Sequence, residues 1–65
     1  MNLTFRDAQT GRSLNGMQAV TVACRRALEQ GMDEAEMHGI IRRMADEEDA
    51  REMFYDITEI EVFTN

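Results

Sequence analysis

"DEAEMHGIIRRMADEEDA", residues Asp33 to Ala50, decides how this chain folds. It holds a helix start, an apolar stripe and a run of acids, in that order. Asp33 can accept a hydrogen bond from a free backbone N–H of the first helical turn. Glu36, three residues on, can reach back to the Asp33 backbone. Acids at Asp33, Glu34 and Glu36 also suit the positive end of a helix dipole. Met37, Ile40, Ile41 and Met44 then recur at i, i+3, i+4 and i+7, the spacing of one helical face. Prolonging that stripe would put Glu48 and Arg51 in the core, which is costly. The pattern therefore predicts a helix that stops near Ala45. Asp49 and Glu52 repeat the cap spacing ahead of Ala50, Met53 and Phe54. A short third helix is expected to start inside "ADEEDA" and leave at an angle, with one bent helix as the competing reading.

Upstream, "NGMQ" at Asn15–Gln18 is a second capping signal. It opens a helix expected to run to about Gln30. Met17, Val20, Cys24, Ala27 and Leu28 recur at three- and four-residue steps and are expected to share its buried face. Leu14 with Ala19, and Met32 with Met37, are placed as hydrophobic staples at the two helix entries. Gly31 suits a left-handed stop. The connection to the next helix is only a few residues, so the two helices should form an antiparallel hairpin.

The ends of the chain alternate with period two. Leu3 and Phe5 in "NLTFR", and Ile60 and Val62 in "ITEIEVFTN", each give a strand with one apolar face. "DAQTG" between the first strand and the first helix is a turn that can close a hairpin onto a stub at Arg12–Leu14, or lead directly into the helix. The expected fold is a small single α+β domain over residues 1–65. A helical hairpin plus a short third helix packs on a minimal sheet built from the N- and C-terminal strands.

Composition narrows the function. The chain has 65 residues and one cysteine, Cys24, so no internal disulfide supports so small a core. Hydrophobic residues make up 43%, too many for a disordered tail. No apolar run is long enough for a membrane span, and "MNLTFRD" lacks the basic flank and apolar core of a signal peptide. A cytoplasmic protein without membrane contact is expected. The net charge of −6 is uneven. Residues 1–32 carry four Arg against two acids, while residues 33–65 carry three Arg against eleven acids. Such a chain is poorly suited to gripping phosphates and better suited to a basic partner.

No Gly-rich phosphate loop, nucleophile elbow or zinc-protease motif is present. His38 lies four residues after Glu34, so the two can touch, but one His and one carboxylate are too few for a closed metal site. Cys24 reads as a small buried hydrophobe. A Cys24–His38 nucleophile pair across the hairpin would lack an orienting group and an oxyanion site. The acids of "ADEEDA" lack the alternate spacing and glycine turn of a calcium loop. No catalytic residue, metal or cofactor is therefore expected.

The expected function is a non-enzymatic interaction module. Its acidic surface is drawn from Asp33, Glu34, Glu36, Asp46, Glu47, Glu48, Asp49, Glu59 and Glu61. That surface would engage an Arg/Lys-rich site on a larger protein, such as a nucleic-acid-binding machine that it inhibits by occupying the substrate site. Very small acidic inhibitors of the phage anti-CRISPR or anti-restriction kind fit this physically, with no motif to carry it. Self-association, most simply as a homodimer, is expected beside this, because the core is small and the strand edges are unpaired. One alternative function is a homo-oligomeric structural or accessory subunit. Another is a regulator that binds nucleic acid through Arg25, Arg26, Arg42 or Arg43.

Overall fold

In the computed structural model, which describes residues 2–65, the alternating ends of the chain meet. The elements are β1 (Leu3–Asp7), β2 (Ser13–Leu14), α1 (Gly16–Glu29), α2 (Glu34–Arg43), α3 (Glu48–Thr58) and β3 (Ile60–Thr64). β1 is the central strand of an antiparallel sheet of order β2-β1-β3. Phe5 lies opposite Val62 on one side and Leu14 on the other. The fold is α+β, as the periodicities indicate. The sheet has a third strand, because the turn after β1 does close a hairpin. Gly11 at φ +76° sits in that turn, and its N–H bonds the Asp7 carbonyl.

The first helix starts where the sequence places it. Asn15 and Gln18 exchange hydrogen bonds of 2.8 and 2.9 Å, a complete capping box. Its end is a Schellman turn: Met32 N–H bonds Ala27 O and Gly31 N–H bonds Leu28 O, with Gly31 at φ +83°. Asp33 caps α2 by accepting from the Glu36 N–H at 2.8 Å. Among the described contacts, the return bond from the Glu36 side chain is not made.

The buried face of α1 differs from the expected one. Ala19, Ala23 and Ala27 are buried, while Met17 is 82% and Leu28 60% exposed. The helix packs against α2, α3 and the sheet together, so its small residues occupy the closest approaches. Met17 and Leu28 stand on other faces of the helix than the three alanines, turned from their neighbours Ala19 and Ala27 by the helical step. The core joins Ala23 and Ala27 to Met37, Ile40 and Met44 of the α2 segment, Ala50 and Phe54 of α3, and Ile60 of β3. Ile41 packs at its edge, and Phe5 meets Phe54 with ring centroids 6.3 Å apart.

The acidic run is a corner between two helices. α2 ends at Arg43 and α3 begins at Glu48, so the bent single helix does not form. The cap position of α3 is Glu47 rather than Asp49, and its side chain makes no cap bond. Asp49 lies inside the first turn. The start moves upstream because Arg51 reaches back to donate to the Met44 carbonyl at 2.6 Å, and Glu47 pairs with Arg43 at 3.3 Å. These contacts satisfy the end of α2 and hold the corner. Ala50 and Phe54 are buried as expected, but Met53 is half exposed.

Candidate functional site

α3 carries Glu48, Glu52 and Asp56 at successive four-residue steps, which stack them along one face of the helix. That face borders β3, the outer strand of the sheet, and the two enclose an open cleft of about 480 Å³. Glu61 and Phe63 of β3 form the opposite wall, and Tyr55 contributes from α3. Tyr55 and Phe63 are both 43% exposed, so the cleft offers aromatic surface as well as carboxylates. Arg51 also lines it, but its guanidinium is held on the Met44 carbonyl.

The wall on β3 is organised by its strand partner. Arg6 lies opposite Glu61 in the β1–β3 register, and its Nε donates to Glu61 Oε1 at 2.9 Å. The same guanidinium stands 5.7 Å from the centre of the Phe63 ring. Arg6 thus shows on this surface how a cation can engage one carboxylate and one aromatic face together.

The expected acidic residues do not form one patch. Glu48 and Glu61 line the cleft. Asp46, Glu47 and Asp49 are exposed at the corner where α3 begins. Asp33, Glu34 and Glu36 stand at the N-terminal end of α2, a helix about 15 Å long. Glu59 takes the left-handed position that ends α3, at φ 57°. Glu52, Asp56, Tyr55 and Phe63 were not anticipated as site residues. Their signal was present in the sequence as the Glu48–Glu52–Asp56 step, which the cap reading of Glu52 obscured.

Among the described residues, four of the seven arginines make side-chain bonds within the chain. Arg6 holds Glu61, Arg43 holds Glu47, Arg51 holds the Met44 carbonyl, and Arg26 is committed to Asp7 and Thr58. Two of the four residues named for nucleic-acid contact, Arg26 and Arg43, are therefore already occupied.

One group of metal-ligating types forms among the described residues. Cys24 of α1 and Glu34 and His38 of α2 bring one donor atom each to within 4.8 Å of one another. His38 Nε2 lies 3.4 Å from Glu34 Oε1. Burial, and then the Glu34 carboxylate, push the Cys24 thiol up. A thiol held protonated is a poor nucleophile, which weighs against a Cys24–His38 catalytic pair.

No helix among the described residues is long and apolar enough to cross a membrane. No protein-family model matches the chain, and no curated protein or solved structure matches it.

Proposed function

We propose that the protein is a non-enzymatic binding module whose α3–β3 cleft receives an Arg/Lys-rich segment of a larger protein. The observation that carries this reading is the cleft itself, with Glu48, Glu52 and Asp56 facing Glu61 beside exposed Tyr55 and Phe63. A carboxylate row suits an extended basic segment, because side chains along it can each meet an acid. Arginine adds stacking on the aromatic rings. Inhibition would follow wherever that segment is itself the phosphate-gripping site of a nucleic-acid-binding protein. The acids at the corner, Asp46, Glu47 and Asp49, would extend the field that steers such a partner inward. The cytoplasm is the setting we expect for this encounter.

The test separates local from overall charge. One variant carries Glu48→Gln, Glu52→Gln and Asp56→Asn. A control carries Glu29→Gln, Glu34→Gln and Glu36→Gln, the same charge change on α1 and the start of α2, away from the cleft and its corner. Each exposed pair is worth only ~0.2–1 kcal/mol, so losing three should weaken an arginine-rich peptide about tenfold at low salt. Fluorescence anisotropy should show that loss for the cleft variant and less than about a third of it for the control. Equal losses in the two variants would mean that net charge alone attracts the peptide.

A second reading is a homodimer through β3. That strand has only β1 as a neighbour, so its other edge can pair with a second copy.

A further inference from the structure

The Cys24, Glu34 and His38 group lies on the helical hairpin, apart from the α3–β3 cleft. Glu34 and His38 stand one turn apart on α2, on the same face. The short connection through the Schellman turn folds α1 beside them, so Cys24 completes a triangle that neither helix could form alone. We propose that these three side chains are a binding site for a zinc-type divalent transition-metal ion, with a fourth position open to water.

The donor set matches that chemistry. Thiolate, imidazole and carboxylate are all zinc ligands, and the first two disfavour magnesium and calcium. Three protein ligands with one open position is a recurrent zinc arrangement.

The spacing matches as well. Metal bonds of about 2.0–2.1 Å at a tetrahedral angle set an imidazole nitrogen and a carboxylate oxygen about 3.4 Å apart. His38 Nε2 and Glu34 Oε1 are 3.4 Å apart, which is long for a hydrogen bond but right for two corners of a tetrahedron. A bond of about 2.3 Å to sulfur sets the sulfur about 3.6 Å from either of the other donors. No side of the triangle exceeds 4.8 Å, so side-chain rotation of about an ångström closes it. The side chains of His38 and Glu34 are 42% and 65% exposed, which leaves them free to turn and leaves the ion a route in.

A dication bound between the sulfur and the carboxylate displaces the thiol proton, as metal–thiolate bonds do. The bound ion would tie α1 to α2 in a domain that has no disulfide, the kind of support that small domains use.

The experiment uses the reduced, chelator-stripped protein titrated first with Co²⁺ and then with Zn²⁺. One Co²⁺ per chain should bind with a near-ultraviolet thiolate-to-metal absorption, and Zn²⁺ should displace it. Cys24→Ser should abolish that absorption. His38→Gln, on an exposed side chain, should keep the fold by circular dichroism and weaken Co²⁺ binding at least about tenfold. Zn²⁺ should raise the melting temperature of the wild type and not of His38→Gln. Binding should also fall as pH drops, because protons compete for the three donors. A wild-type titration without the thiolate absorption would overturn the site. Equal Co²⁺ affinities for wild type and His38→Gln would do the same, by assigning the ion to surface carboxylates.

Discussion

Asp7 and Arg26 tie three elements together through one guanidinium. Arg26 Nη1 donates to Asp7 Oδ1 and to the Thr58 carbonyl, and Nη2 donates to Asp7 Oδ2, each at 2.9 Å. Asp7 is 4% exposed and the Arg26 side chain 16%, so β1, α1 and the end of α3 meet at a largely buried, bidentate pair. Asp7→Ala would strand the guanidinium and is expected to cost about 3–5 kcal/mol, most of what so small a domain has. The hydrogen bonds from Arg26 hold the Asp7 carboxyl below its ordinary value of 3.8, against the opposing effect of burial. Below that value the unfolded chain takes up the proton first, so stability falls as pH falls. The contribution of the pair is complete above the ordinary value and is lost as pH drops through the lowered one. Urea midpoints of the wild type should therefore decline as pH falls below about 4, and Asp7→Asn should start lower and decline less. Parallel acid limbs for the two proteins would contradict this. None of it was legible in the sequence, which placed Asp7 in a turn. Nineteen residues separate the partners, and no periodicity links them. Glu59 was equally hidden, because a left-handed helix end is usually marked by glycine. Glu59→Gly should relieve that backbone and stabilise by up to about 1 kcal/mol, less the Coulombic attraction between Glu59 and Arg26. A lower denaturation midpoint would show that the charge outweighs the backbone.

At the scale of elements, the caps were legible and the face of α1 was not. Asn15, Gln18, Gly31 and Asp33 act through residues three or fewer positions away, so spacing alone reveals them. Which side of α1 is buried depends on three neighbours at once, and local hydrophobicity favoured the large residues over the alanines. Close helix crossings favour small side chains, and Ala23 at 0% exposure is fully covered by its neighbours. Ala23→Leu is expected to cost at least about 1–3 kcal/mol by overpacking. Met17→Ala, at 82% exposure, should change stability by less than about 0.5 kcal/mol. The sequence-based face would give the opposite order, and guanidinium melts of the two variants decide between them. The same logic explains the corner. The end of the Met37–Ile40–Met44 stripe was readable from the cost of burying charge, whereas the Arg51–Met44 bond that sets the start of α3 spans seven residues and follows from the fold.

For the whole molecule, the free edge of β3 and the acidic cleft beside it are a single surface, and this fixes how self-association must depend on salt. The strand invites a second copy, because its outer backbone groups have no neighbour in the sheet. Pairing two β3 edges would bring Glu61 and the Glu48–Glu52–Asp56 row of one copy toward those of the other. Charges of one sign on both sides oppose that approach, a common way of protecting an exposed edge. Screening weakens the opposition as the Debye length shrinks from about 10 Å at 0.1 M salt to about 3 Å at 1 M. A basic partner obeys the reverse dependence, since its attraction is what salt removes. Sedimentation velocity at micromolar concentration should therefore find the 7.5 kDa monomer prevailing at low salt and a dimer growing in as salt rises. Glu48→Gln, Glu52→Gln and Asp56→Asn together should move the dimer to lower salt while weakening the basic peptide. A dimer that is equally strong at all salt concentrations, and indifferent to these three changes, would place its interface elsewhere and leave β3 to the partner alone.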